Sequence, residues 1–391
     1  TWSWLKGGDA MIGELQVGTS CVHVCHYTPT PDTIFYELWQ AYASGLHGVI
    51  HWEWQAWRSG TFEPGEFGLR APADGGETAR SRKVREFAEI FNAHRDTLLS
   101  VCRKPAAVAI LDSYSNGVYQ FLQWLDHKGV QNIGWEYQMA VLGCYRALHE
   151  KNFAVDFISD KELENGALAG YKVLYLPHVN LLGSKCARQI REFIHAGGAV
   201  WADGRFAWLD EHMFVRNAIP GHGLAEVFGC RESDYIAQPQ DITAGTDKGL
   251  SVRGRRMQQS FELLGNAVCH AKYSDGSIAA VDANYGKGHC RIWGLELCRT
   301  LRHESIAENI QEIAEFALSA GVDPEANTPY GVTSRTLEGE DVRVSVLFNS
   351  SDCAQEVAVS ENAETLCGAE RSAGSVLLLP GKTEVVIQKK R

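Results

Sequence analysis

Along the first hundred residues the apolar positions fall into two repeats of a strand followed by a helix. Ala10–Leu15 is a short apolar run, and Ile34, Leu38 and Tyr42 then recur at helical spacing across 33–44. Asp32 is expected to cap that helix and Gly45 to end it. A second apolar run, His47–Glu53, leads through a Gly- and Pro-rich stretch into a helix expected over Thr78–Leu99. Val84, Phe87, Ile90 and Phe91 share its inner face. Strand–helix units with long loops after each strand are what a (β/α)8 barrel is made of, so residues 1–100 are expected to form part of one.

The pattern changes twice more. Over 101–325, short runs such as Ala106–Asp112, Phe153–Ile158, Lys172–Pro177 and Ala199–Asp203 are apolar at nearly every position, as in strands covered on both faces. Helices are expected over Trp135–Lys151, Lys185–Ala196 and Ser305–Ala320, and further strands near Ala279–Ala283 and Cys290–Gly294. The stretch Gly204–Gly265 shows no period and is expected to be irregular. This alternation describes a doubly wound α/β domain of the glutamine-amidotransferase-like kind. Over 326–391 no helical period remains. Alternation in Val342–Asn349, Glu356–Ser360, Ser375–Leu379 and Thr383–Gln388 predicts a small antiparallel β domain. The expected fold is α/β: a partial barrel, a doubly wound domain and a small β domain.

Composition narrows the partners. The 391 residues carry a net charge of −11, which argues against nucleic acid or an anionic membrane surface. No run approaches the ~18 consecutive apolar residues of a membrane-spanning helix. The chain opens on Thr1, and TWSWLKGGDA lacks the basic start and apolar run of a signal peptide. Eleven cysteines are scattered singly, among them Cys102, Cys144, Cys186 and Cys298, and are expected to act as small buried hydrophobes in a reducing, cytoplasmic setting. The tightest cluster, Cys21-Val22-His23-Val24-Cys25-His26, lacks the paired C-x2-C knuckles of a structural zinc site. No metal and no cofactor are assigned.

Candidate chemistry sits at the two early strand ends. In Ile12-Gly13-Glu14-Leu15-Gln16-Val17-Gly18 a carboxylate ends an apolar strand before a Gly-bearing loop, where a barrel displays catalytic groups. The second strand runs into Ile50-His51-Trp52-Glu53-Trp54-Gln55-Ala56-Trp57-Arg58. Tryptophans interleaved with polar groups suit a sugar, whose apolar face stacks on an indole while carboxylates and Arg bond its hydroxyls. Farther on, the strand Lys172–Pro177 runs into His178-Val179-Asn180 without the Cys or Ser of a nucleophile elbow. Gly286-Lys287-Gly288 lacks the rest of a phosphate loop.

The order IGELQVG, helix, GVIHWEWQAWRSGTFEPGEFGL resembles the last two barrel strands of family 42 glycoside hydrolases, which are β-galactosidase-type enzymes. The resemblance continues through Gly197-Gly198-Ala199-Val200-Trp201-Ala202-Asp203-Gly204, Gly221-His222-Gly223-Leu224-Ala225-Glu226-Val227-Phe228-Gly229 and Tyr285-Gly286-Lys287-Gly288. These are similar to that family's trimerisation domain. Val346-Leu347-Phe348-Asn349-Ser350 resembles its small C-terminal domain. The resemblance implies Glu14 as nucleophile, Trp52 as the tryptophan of strand eight, Trp54 beside it in the Trp-rich sugar-binding segment, and Glu63 as a sugar-contacting carboxylate. It implies a β-galactoside or related β-glycoside as substrate, a retaining mechanism and a homotrimer. The family's acid/base Glu precedes the nucleophile, on a part of the barrel that this sequence does not include. A Trp common after the nucleophile is replaced by Val22-His23, and a His after the sugar-contacting Glu by Glu66. Two readings follow: a portion of a retaining β-galactosidase, or a non-catalytic oligomerisation and scaffold module with a vestigial Glu14.

Overall fold

The structure, a computed structural model, describes residues 8–19, 27–59, 67–71, 73–126, 135–302 and 304–390. The chain divides into two compact units, Thr1–Pro105 together with Glu325–Arg391, and Ala106–Pro324.

In the first unit, β1 (Met11–Gln16) runs parallel to β2 (Gly48–Trp52), with α1 (Pro31–Ala43) between them in sequence. The cap of α1 is Thr30, not Asp32: its Oγ1 accepts from the Thr33 amide at 3.1 Å. Pro31 explains the shift, because a proline without an N–H suits the first helical position and puts the cap one residue earlier. Asp32 then lies in the first turn, where a negative charge complements the helix dipole. The expected helix over 78–99 is interrupted. α2 (Ala79–Ala93) opens on a reciprocal Thr78–Ser81 capping box, stops at His94, and α3 (Arg95–Leu99) resumes. The break delivers Leu98, 1% exposed, to a core with Phe35 and Trp39.

The second unit is built on a nine-stranded sheet. β3 (Cys102–Arg103) belongs to the first unit. Next come β4 (Val108–Leu111), α4 (Tyr114–Asp126), α5 (Glu136–Glu150), β5 (Val155–Ile158), α6 (Asp160–Glu164), β6 (Val173–Leu176), α7 (Ser184–Ala196) and β7 (Ala199–Ala202). After α8 (Leu224–Phe228) come β8 (Cys230–Thr246), β9 (Ser251–Leu263), β10 (Val268–Tyr273), β11 (Ile278–Tyr285) and β12 (Gly288–Trp293). The unit closes with α9 (Leu297–Thr300) and α10 (Ala307–Ser319). Strands β5, β4, β6, β7 and β12 lie side by side and parallel, and β11, β9, β8 and β10 extend the sheet antiparallel. Every residue of β4, β6 and β7 is buried, which is why their sequences carry no alternation.

The stretch expected to be irregular holds the long β8–β9 hairpin. Residues 231–238 are exposed or half-buried throughout, so neither face of the strand imposes an apolar period. Helix α4 is likewise absent from the sequence-based expectation.

The remaining strands are antiparallel. β13 (Val332–Glu338), β14 (Val342–Asn349), β16 (Glu364–Thr365) and β19 (Thr383–Lys389) join β3 in a five-stranded sheet, and β15 (Gln355–Ala358), β17 (Glu370–Ser372) and β18 (Ser375–Leu378) form a second. Among the described cysteines all are free. Cys144, Cys186, Cys230, Cys290 and Cys298 are buried, as expected of small hydrophobes, whereas Cys102 is exposed because β3 is the edge strand of its sheet. Among the described residues no helix is long and apolar enough to cross a membrane.

Candidate active site

Glu14 stands in a bulge. Ile12 pairs with Val49 and Leu15 with His51, so Gly13 and Glu14 together oppose the single residue Ile50. Two residues against one bend a strand and re-aim its side chains, and here the Glu14 carboxylate emerges exposed. Two positions on, and so on the same side of an extended chain, Gln16 donates from Nε2 to Glu14 Oε1 at 2.6 Å. That bond holds one carboxylate oxygen and sets the plane of the group. Among the described residues nothing bonds Oε2, which is the oxygen free to react.

Trp52 ends β2 directly opposite Gln16. A cis peptide bond joins it to Glu53, and Trp54 follows, 64% exposed. The Arg70 guanidinium lies 5.2 Å from the centre of the Trp54 ring, a cation–π contact that steadies an otherwise open indole. The segment Phe67–Arg70 laces the two strand ends together. Phe67 N donates to Thr19 O (3.1 Å) and Phe67 O accepts from Glu53 N (3.0 Å). Leu69 and Arg70 donate to Glu53 O and Trp54 O at 2.8 and 3.0 Å. Gly18 allows this approach: a Cβ there would sit 1.9 Å from the Phe67 carbonyl carbon. Phe67 and Leu69, each 1% exposed, anchor the segment from below.

Two buried acceptors at this edge lack a partner among the described residues, Gln16 Oε1 and His51 Nδ1. Burial holds the His51 imidazole below its usual pKa, which favours the neutral ring with a lone pair to offer. The Glu14 side of the strand pair thus combines a carboxylate with one free oxygen and an exposed indole on adjoining strand ends, whereas His51 alternates to the opposite face. The Glu14 side can attack an electrophilic carbon and can accept hydrogen bonds from hydroxyls.

Of the residues singled out by sequence, Glu14, Trp52 and Trp54 lie on these adjoining strand ends. Glu63, Glu66 and the Cys21–His26 cluster fall outside the described residues. Gln16 and Arg70 are structural additions. Only the spacing of Gln16, two residues from Glu14, signals its role in the sequence.

The second unit carries its own polar cluster at the carboxyl ends of β6, β7 and β12. The turn after β6 puts His178 at φ 52°. Its backbone N–H donates to Asp203 Oδ1 at 2.9 Å, and its Nδ1 is 3.4 Å from Glu296 Oε1. Burial lowers the His178 pKa against the opposing pull of Glu296, which favours the neutral ring. Asp203 also accepts from the Cys298 amide at 2.9 Å. The sharp turn therefore bears a buried imidazole where an acyl-transfer enzyme of this fold class needs an exposed thiol or hydroxyl. Its hydrogen bonds tie strand ends together.

Comparison with known proteins gives, among others, four matches. Residues 106–315 match the family model described as the β-galactosidase trimerisation domain. The chain is 25% identical over 354 residues to β-galactosidase BglY of Alicyclobacillus acidocaldarius, covering 87% of this chain and 49% of that protein. It is 22% identical over 355 residues to β-galactosidase YesZ of Bacillus licheniformis, covering 90% and 51%. The crystal structure of a β-galactosidase from Bacillus circulans sp. alkalophilus superposes with a TM-score of 0.82 at 19% identity, over 98% of this chain and 56% of that one. The chain spans about half the length of the curated relatives it matches.

Proposed function

The chain belongs to glycoside hydrolase family 42, carrying the β-galactosidase trimerisation domain over residues 106–315, and on that premise we propose that it is part of a retaining β-galactosidase whose nucleophile is Glu14. In this reading β1–α1 and β2–α2 are the last two units of a (β/α)8 barrel. Their parallel pairing supports it, and so does the likeness in fold to a solved β-galactosidase. The observation that carries the assignment is the clamped, bulged Glu14 beside the Trp52 strand end.

The chemistry follows from that geometry. Glu14 Oε2 forms a bond to the anomeric carbon as the bond to the departing oxygen breaks, giving a glycosyl-enzyme that water later hydrolyses. Trp52 and Trp54 offer indole faces to the apolar side of the sugar, and Glu63 accepts from its hydroxyls. A retaining enzyme needs a second carboxyl about 5–5.5 Å from the first to protonate the leaving group. Glu53 follows the neighbouring strand rather than facing Glu14 across a pocket, so the acid/base carboxyl is assigned to barrel strands outside these 391 residues. The unit Ala106–Pro324 is assigned to assembly of a homotrimer.

The test is to mix the chain with a dinitrophenyl β-galactoside and weigh it against its own 43.2 kDa. Dinitrophenolate leaves with its electron pair and needs no general acid, and without a base the galactosyl-enzyme accumulates. A galactosyl adduct that disappears in Glu14→Gln supports the reading. Absence of an adduct on the folded chain overturns Glu14 as a nucleophile competent in this chain, and leaves the non-catalytic module.

A further inference from the structure

Helix α4 carries its apolar stripe on the outside. Tyr114, Val118, Phe121, Leu122 and Leu125 follow one another at i, i+4, i+7, i+8 and i+11, one face of a helix. That face meets solvent: Tyr114 is 79% exposed, Phe121 53%, Leu122 41% and Leu125 42%. The inner face is mixed, with Tyr119 packed against Leu181 and Leu209 between two buried amides. Asn116 and Gln120 are buried; Asn116 Nδ2 donates to Leu181 O at 2.7 Å and its Oδ1 accepts from Leu181 N at 2.9 Å. Gln120 Oε1 accepts from the Tyr137 amide at 2.6 Å. Buried side-chain bonds to backbone groups at both positions fix the rotation of α4, so it cannot roll its stripe inward without orphaning them.

The stripe continues into a wider patch. Trp124 stacks on Phe121 with ring centres 5.7 Å apart. Across a cavity of about 260 Å³, to which Tyr114, Val118 and Met213 contribute, the loop Met213-Phe214-Val215 adds three more exposed apolar side chains. A patch of this extent on a soluble surface marks an interface. Its surroundings say which kind. Asp160, Glu164 and Glu211 line the same cavity and α4 has no Lys or Arg, which does not suit an anionic lipid surface, where a binding helix presents basic residues. Seam spacing on a rotationally fixed helix suits another protein surface, and all these residues lie within the 106–315 segment of the trimerisation family.

We infer that the α4 stripe, together with Met213–Val215, is buried against a neighbouring copy of this chain. The inference rests on the homotrimer reading and adds to it the surface through which copies meet. In a closed cyclic trimer every copy meets its neighbours in the same way, so all three patches are covered at once.

Native mass spectrometry and light scattering of the full chain across a dilution series, wild type against Phe121→Glu/Leu125→Glu, test it. Wild type should be trimeric. The double variant should raise the concentration of half-assembly by roughly thirtyfold or more, the size expected when interface anchors are lost, with an unchanged far-ultraviolet circular dichroism spectrum. Because that variant could misfold, hydroxyl-radical footprinting of the wild type supplies a second reading: oxidation of Phe121, Leu122 and Trp124 should slow severalfold on going from dilute to assembled protein. A folded double variant that still forms trimers, or equal oxidation of these residues in both states, overturns the surface and leaves the trimer standing. A wild type that stays monomeric throughout overturns both.

Discussion

If Glu14 is the proposed nucleophile, its attacking oxygen must be held on line, and among the described residues the Gln16 amide at 2.6 Å supplies that constraint. Gln16→Ala should therefore slow formation of the galactosyl adduct by roughly ten- to hundredfold, the order of loss that misplacement of a reacting group brings. The galactoside concentration for half-maximal rate should change little; stopped-flow release of dinitrophenolate reads both quantities. Asp203 offers a second test, independent of the proposed chemistry. Burial raises its pKa to about 7 against the pull of the Cys298 and His178 amides, whereas an unfolded Asp titrates near 4. Between those values the folded state holds a proton that the unfolded state has released, so stability falls as pH rises through about 4 to 7 and levels off above. Thermal unfolding of the second unit should show that decline, and Asp203→Asn should flatten it; an unchanged slope would assign the proton to another group. The placement of Glu14 on a strand beside the Trp52 strand end was legible in the sequence because a carboxylate late in an apolar run before Gly18 is conspicuous. The bulge was not, since an extra residue in a five- or six-residue strand barely disturbs its pattern. His178 was legible as the absence of a nucleophile, but not as the buried link it is.

At the level of elements, close approach of helices governs what the chain tolerates. α5 crosses α9 at Gly143, where a Cβ would lie 1.8 Å from the Cys298 carbonyl oxygen. Backbone cannot yield as a flexible side chain can, so Gly143→Ala should cost about 1–3 kcal/mol or more, measured as a lower midpoint in urea with an unchanged slope. A midpoint at wild-type level would mean that the two helices separate freely. Helices with an apolar inner face and a clean cap, such as α2 behind Thr78, could be read from the sequence to within a residue at their starts. Two kinds of element could not. Residues 231–238 of the β8–β9 hairpin are exposed or half-buried, so burial wrote no period into that part, and the alternation over 241–246 buries Ile242, Ala244 and Thr246, of which only Ile242 is strongly apolar. Helix α4 begins Tyr114-Ser115-Asn116-Gly117, residues that favour turns in isolation. Its Ser115, Asn116 and Gln120 bonds and the packing of Tyr119 on Leu181 and Leu209 fix it as a docked helix, and those partners are distant in sequence.

For the molecule as a whole, the two units differ in how much each can do alone. The second is continuous in sequence, and one large core runs from Val108 to Val322 through its parallel strands and helices. The first is assembled from both ends of the chain, with β3 pairing to β13 across more than two hundred residues, and among the described residues its β1–β2 sheet has two strands. A two-stranded sheet is marginal by itself, and its neighbours in a barrel would be strands outside this sequence. A chain of residues 106–324 alone should therefore fold, unfold in a single cooperative transition, and assemble at the same concentration as the full chain, because the α4 patch lies wholly within it. It should form no galactosyl adduct, since Glu14 is absent. Calorimetry and light scattering on that chain check the two halves of the expectation separately. A folded but monomeric 106–324 would place the contacts between copies on the first unit and take the α4 surface with it. An unfolded one would mean that the large core depends on Thr1–Pro105 or Glu325–Arg391, despite burying its strands without them.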